Sequence, residues 1–499
     1  MLSKFTRIVP GSFLRASHFL AAALISFFMM PFVINSLGDR LYGFWVVITA
    51  FMGYYGLLDL GLTSAVIRHM AGAIGTNDST ECNKIFNTAL FIFAILSMLS
   101  LGITGLIMTS IGYLHIAAED IPLYRKITLI LGLNFAINFP IKVFTGTLSA
   151  KLRYDIISSL QMFTLVLRTL LIVGALNAGH KLIALALISL LAIIPEMLLS
   201  IYFTKKNMPF LQIHYKYIAK DRLKSFFSYS IFTFIAQIAD RLRFNVDAFV
   251  ITIYIGLVAV THYSIATELM RLFIGIIVAA VGVLQPIFSY QYDRKDHKAL
   301  TDTYFFATRI SFCLAAFIGF GMIAWGKSFI ERWMGPEYND AYPCLAILVT
   351  GCIIALSQTP SVNLLYGISK HRFYALFNSI EALCNLLLSV VLVKHFGLIG
   401  VALGTFIPMA IIKLIIQPIY VCKVAEIRYL DYVSMATKTA IAIVLALILP
   451  IALSLKFALP DYSILSILAI ISACIYMSVI WLIGLDKKEK TLIRRAITG

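Results

Sequence analysis

Charge is what this sequence has least of. Of its 499 residues only 13% are Asp, Glu, Lys or Arg, against 60% hydrophobic residues and a mean hydropathy of +0.91. So little polar surface cannot cover a soluble globule, which argues against a water-soluble enzyme or a nucleic-acid-binding domain and makes lipid the solvent. Metal and redox spacings are missing too. The seven cysteines, Cys82, Cys313, Cys344, Cys352, Cys384, Cys422 and Cys474, form no CxxC pair and no zinc-like spacing, so they read as small hydrophobes. No HExxH or GxSxG stands in a suitable context. Gly321, Gly326, Lys327 and Ser328 do satisfy the phosphate-loop pattern, but that loop needs a strand before it and a helix after it in a soluble sheet. Here the glycines close an apolar span, and the match is chance. The first span follows Lys4 and Arg7 but carries Arg15 and reaches no small-residue cleavage site, so it reads as a retained helix rather than a signal peptide.

What is present is a succession of apolar runs long enough to cross about 30 Å of hydrocarbon. Fourteen are expected, centred on about 12–36, 43–67, 86–112, 127–149, 156–176, 182–203, 226–250, 256–288, 304–326, 341–366, 373–393, 397–421, 436–455 and 462–485. The fold class is therefore an all-α polytopic membrane protein. Laid out this way, the links on the side of the termini carry 25 Lys and Arg and those on the other side carry 8. The positive-inside rule makes the richer side cytoplasmic, with both termini on it, and such a rim suits anionic headgroups. Links on the opposite side are about 15 residues at most, too short for the sizeable loop that a membrane glycan polymerase or ligase would use.

Some charges fall inside the spans, where each costs at least about 2.5–3.5 kcal/mol on insertion scales. The bases are Arg15, Lys142, Arg168, Arg241, Arg243, Arg271, Arg309 and Lys413; the acids are Asp59, Glu196, Asp240, Asp247, Glu268 and Glu381. Asp240, Arg243 and Asp247 share one helical face, which must look into protein or water rather than lipid. Arg15, Arg168, Arg241, Arg243 and Arg271 are candidates to bind a phosphate-bearing headgroup, because a guanidinium offers a planar fork of donors to phosphate oxygens. The competing reading is internal pairing, Arg243 with Asp247 or Glu268 with Arg271. Asp59, Asp247, Glu268 and Glu381 are candidates for proton or sodium coupling, since a buried carboxyl can carry a proton; a structural ion pair competes at each. Tyr54, Tyr55, Tyr229 and Trp325 are candidates for sugar stacking, against ordinary packing. Mid-span Pro31, Pro195, Pro286, Pro360, Pro408 and Pro450 are expected to kink or break helices.

The chain also repeats itself. Lys151–Tyr154 recurs as Lys370–Phe373, Leu182–Leu187 as Leu398–Leu403, and Gly38 as Gly256, at offsets of 219, 216 and 218. Three anchors in order predict two pseudo-symmetric six-helix lobes, 1–205 and 222–422, then a helix pair over 432–485 and a basic tail over 486–499. Parallel repeats of this kind place a substrate site at their interface near the midplane.

The run from Ser36 to Arg68 resembles the signature of bacterial polysaccharide repeat-unit exporters. These are the Wzx-type lipid flippases of the superfamily that also holds multidrug exporters and the lipid II flippase. The likeness continues through Gln237, Asp240, Asn245, Asp247, Ile251, Gly256 and Tyr263, then Trp333–Tyr338 with Ala341, then Gly367, Lys370, Arg372 and Asn385. It ends on Gly397, Gly400, Val401, Ala402, Gly404 and Thr405, covering roughly residues 10–425. The resemblance implies a non-enzymatic transporter of the bacterial inner membrane. Its cargo would be an oligosaccharide on undecaprenyl diphosphate, moved from the cytoplasmic to the periplasmic face by alternating access, with no cofactor. The partners it implies are the bilayer, a polysaccharide polymerase and a chain-length regulator. An ion-coupled multidrug exporter is the alternative, and a carboxylate-dominated cavity would favour it; the small excess of intramembrane bases tilts toward an anionic cargo.

Overall fold

The computed structural model describes residues 2–113, 118–219, 246–281, 284–370, 372–456, 462–486 and 489–491, all helices and connecting turns. Its contacts divide the chain into two compact units, Met1–Thr261 and His262–Gly499. The first contains α1 (Leu2–Leu37), α2 (Asp39–Tyr54), α3 (Leu62–Gly75), α4 (Ser79–Ser110), α5 (Ile121–Ala150), α6 (Tyr154–Asn177) and α7 (Leu182–Asn207). The chain then runs through α8 (Leu257–Val281), α9 (Gln285–Asp293), α10 (His297–Trp333), α11 (Ala341–Ser357), α12 (Thr359–Gly367) and α13 (Arg372–Ile411). After these come α14 (Gln417–Val424), α15 (Tyr429–Lys456) and α16 (Tyr462–Val479).

Twelve stretches of the described residues are long and apolar enough to cross a membrane. One of them, Arg372–Val424, is two crossings folded at Gly397, whose φ of 56° reverses the chain inside α13. The expected crossing at 226–250 lies mostly outside the described residues. The other thirteen expected crossings each match one of the thirteen found.

The internal repeat is visible in backbone conformation. Left-handed or otherwise positive φ occurs at Gly38 and Gly256, at Asn77 and Lys295, and at Gly179 and Gly397, each pair 218 residues apart. Asp78 and Asp296 follow the middle pair and cap the next helix identically, accepting from the N–H of Glu81 at 2.9 Å and of Ala299 at 3.0 Å. An Asp at the N-cap satisfies a donor that the helix leaves orphaned. The sequence anchors found the period; the Asn77-Asp78 and Lys295-Asp296 turns fix it.

Between helices in lipid there is no hydrophobic driving force, so close packing depends on small residues. Within α13, Gly400 and Gly404 lie against Leu392, Val393 and Ser389 of the same helix's first half, where a Cβ would collide with backbone. In the first unit α5 packs on α3, α4 and α7, with Phe86, Phe93, Phe139 and Phe144 in the core. The prolines divide into two groups. Pro286 and Pro360 begin new helices, α9 and α12, in the first turn, where no N–H is missed. Pro31, Pro195, Pro408 and Pro450 lie within helical runs, as does Pro140. Five of the cysteines are buried and all seven are free thiols. The phosphate-loop look-alike lies wholly within α10, whose backbone N–H groups are committed to the helix.

Candidate functional site

The second crossing, expected as one helix over 43–67, is broken. A tight turn of helix, Tyr55–Asp59, is followed by Leu60 and Gly61, both left-handed, before α3 begins. Asp59 closes the gap: its carboxylate accepts from the Thr63 N–H at 3.0 Å and the Thr63 hydroxyl at 2.8 Å. Lys142 of α5 reaches the same carboxylate at 3.2 Å and lies 5.3 Å from the Phe139 ring centroid. A carboxylate at a half-helix N-terminus meets the positive end of that helix, and the adjoining cation completes the site. Above Lys142 on α5, Asn138 and Asn134 continue the polar stripe at intervals of one turn, all three half-buried. The Asn134 amide donates to the Ser189 carbonyl of α7 at 2.5 Å, and that of Asn138 to the Asn134 carbonyl at 3.2 Å. Counting charges in the sequence passed over these amides. Their recurrence every four residues in an apolar run was the available signal.

Arg168 stands midway along α6 and is exposed. Its direction follows from helical geometry. Phe163, Val166 and Leu170, exposed by 48%, 43% and 66%, form one exposed apolar face. At 100° per residue, Arg168 is 200° from both Val166 and Leu170, while Gln161, also exposed, shares its side. Leu171, 42% exposed, is only 60° from Arg168, so α6 is accessible on both sides and Arg168 lies on the one opposite Val166 and Leu170. Among the described residues it makes no ion pair and no hydrogen bond. Thr164, one turn away, stands near Glu196 of α7. Arg15 lies in α1, which packs on α6, but its side chain is outside the described residues, as are Arg241, Arg243 and Asp240.

The other candidates sit as follows. Asp247 is buried, at 5% exposure, beside Phe249, whose ring meets Phe51 and Tyr54. Glu268 and Arg271 of α8 form a two-pronged pair at 2.6 and 2.9 Å, with the Arg271 side chain 57% exposed. Glu381 of α13 faces Lys413 at 3.5 Å in the interior of the second unit. Arg309 is buried against Asp486 and Glu489. The five intramembrane bases whose side chains are described thus separate: Lys142, Arg271, Arg309 and Lys413 each have a carboxylate, and Arg168 has none among the described residues. Of the aromatic candidates, Tyr55 is core, bonded to Thr104 at 2.8 Å and edge-on to Phe135, and Trp325 is buried against Phe320. Tyr229 lies outside the described residues. Among the described residues, no three His, Cys, Asp or Glu converge as a metal site.

Comparison with known proteins agrees with this architecture. The profile of the family described as "Polysaccharide biosynthesis protein" matches residues 9–292. The "Putative O-antigen transporter" of Shigella flexneri is 26% identical over 440 residues, 84% of this chain and 99% of that one. The "Uncharacterized membrane protein EpsK" of Bacillus subtilis is 22% identical over 410 residues, 81% of each chain. In fold, the chain resembles the lipid II flippase MurJ in an inward closed conformation, with a TM-score of 0.72 and 15% identity over 93% of this chain and 98% of that one. It also resembles an inward-facing multidrug transporter of the MATE family, with a TM-score of 0.71 and 14% identity over 81% and 95%.

Proposed function

The chain belongs to the polysaccharide biosynthesis protein family, and from that premise we propose that it flips an oligosaccharide linked to a polyprenyl diphosphate across the bacterial inner membrane. Transfer runs from the cytoplasmic to the periplasmic face, by alternating access, in the assembly of O-antigen or a related surface polysaccharide. It is a carrier, not a catalyst, and both termini are cytoplasmic. The observation that carries the proposal is Arg168, an exposed guanidinium midway along a membrane-spanning helix, with no carboxylate among the described residues to neutralise it. A diphosphate supplies the missing anion, and Arg15, Arg241 and Arg243 are its proposed companions. The amides of Asn134 and Asn138 offer hydrogen bonds of the kind that sugar hydroxyls accept and donate.

A hydrogen bond to a charged group contributes about 1.5–3 kcal/mol, or roughly 10- to 150-fold in affinity. Arg168→Ala should therefore cut surface glycan at least tenfold with the protein still in the membrane, and Arg168→Lys should fall between. Undiminished glycan in Arg168→Ala overturns the assignment. Resistance to drugs should be unchanged when the gene is deleted; hypersensitivity would instead favour the multidrug reading.

For coupling we propose Asp247, a buried carboxyl that could exchange a proton or a sodium ion during the cycle. Asp247→Asn should make transport into membrane vesicles insensitive to uncouplers and to a sodium gradient. Full gradient dependence in that variant removes Asp247 from the coupling path.

A further inference from the structure

Lys413 lies on a wide π-helical turn, Ile412–Ile416, between α13 and α14. The extra residue in such a turn rotates side chains out of the regular helical register, and here it aims an ammonium into the middle of the second unit. Its nitrogen is 2.8 Å from Asn378 Oδ1, 3.1 Å from Gln417 Oε1 and 3.5 Å from Glu381 Oε2. The Tyr374 ring covers another side, 4.8 Å from nitrogen to centroid. The Lys413 and Glu381 side chains are 4% and 1% exposed.

A second shell holds these ligands. The Gln417 amide donates to the Gln358 carbonyl at 3.4 Å, and the Gln358 amide donates to the Tyr432 hydroxyl at 2.6 Å. Ser361 donates to Gln358 Oε1 at 2.8 Å and lies 2.9 Å from the Tyr304 hydroxyl. Together these groups tie α10, α12, α13, α14 and α15 to one buried centre.

Two amide oxygens, one carboxylate oxygen and an aromatic face are the donors a hard monovalent cation takes, and the single negative charge balances a single positive one. We propose that this centre is a monovalent-cation site whose occupant is covalently tethered, with the Lys413 ammonium in the place of a sodium or potassium ion. A tethered cation has no binding equilibrium with the medium, so the polar core of the second unit stays neutral at any salt composition. Glu381 is thereby committed to structure, which separates it from the coupling role assigned above to Asp247. The inference does not depend on which substrate the protein carries.

The test is thermal unfolding of the purified full-length protein in detergent, at fixed pH and ionic strength. The salts are sodium, potassium, n-propylammonium or N-methylglucamine chloride. The wild-type midpoint should be the same in all four. Lys413→Ala removes three carbons and an ammonium, which n-propylammonium restores. Its midpoint should be lowest in N-methylglucamine and should rise with the logarithm of small-cation concentration, as for any ligand that binds only the folded state. Glu381→Gln combined with Lys413→Met removes both charges and should fold without responding to the cation. A Lys413→Ala midpoint that is equal in all four salts overturns the tethered-cation site. So does failure of Lys413→Ala to fold in every salt while the double variant folds.

Discussion

Arg309→Met is expected to cost about 3–5 kcal/mol, the loss typical of removing one member of a buried ion pair. Arg309 Nη1 lies 2.5 Å from Glu489 Oε2, 3.1 Å from Asp486 Oδ2 and 3.2 Å from the Gly484 carbonyl oxygen. The two acids are not equivalent, for the Glu489 side chain is 11% exposed and that of Asp486 75%. Burial, and to a lesser degree the Asp486 charge, hold the Glu489 carboxyl above its ordinary value, with the Asp486 N–H and the Arg309 guanidinium pulling it only part of the way back. Without Arg309 the buried carboxylate has lost its counter-charge, and the segment beyond Gly484 loses its hold on α10. Asp486→Asn, at a solvated site, should cost at most about 1 kcal/mol. Hydrogen exchange at residues 484–491, alongside the unfolding midpoint, distinguishes the two variants: fast exchange in Arg309→Met and near-native exchange in Asp486→Asn. Equal behaviour of the two would refute the ranking.

Gly43→Ala should be nearly as damaging, although it adds one methyl group. A Cβ on Gly43 would fall well inside 3.0 Å of the Leu257 carbonyl, which is backbone and cannot swing aside. The same crossing is fastened by Thr261, whose hydroxyl donates to the Asp39 carbonyl at 2.7 Å. Overpacking at a rigid contact costs about 1–3 kcal/mol or more, and Gly43→Leu should exceed Gly43→Ala. Gly72, in the last turn of α3, is the control. Nothing lies within 4 Å of its Cβ position, and Ala is favoured over Gly in a helix by about 1 kcal/mol. Gly72→Ala should raise the unfolding midpoint where Gly43→Ala lowers it. A Gly43→Ala protein as stable as the native one would mean that α2 and the start of α8 are not in direct backbone contact.

Much of the fold was legible in the sequence because membrane insertion is a local matter. Whether twenty consecutive residues are apolar is settled residue by residue, regardless of what packs where. The doubled turn at Asn77-Asp78 and Lys295-Asp296 was within reach on the same grounds, since an Asp cap follows from a residue type and its place before a helix. Helix breaks were less readable. Leu60 and Gly61 interrupt the second crossing, yet their neighbours are as apolar as those of an unbroken span.

The candidate site was legible as a list of charges and not as an arrangement. Lys413 and Arg309 entered that list on the same footing as Arg168, because insertion cost is the same whether or not a partner waits across the core. Pairing is decided by residues far apart in the chain: Glu381 with Lys413, Asp59 with Lys142, and Arg309 with Glu489. The amino-acid sequence by itself determined that the chain crosses the membrane many times, that its two halves repeat, and which residues carry charge into hydrocarbon. Only the tertiary structure decided which of those charges are cancelled and which keep an accessible face. Hydropathy accumulates along the chain, whereas a Coulomb interaction or a backbone collision depends on distances of a few ångströms between segments that only folding brings together.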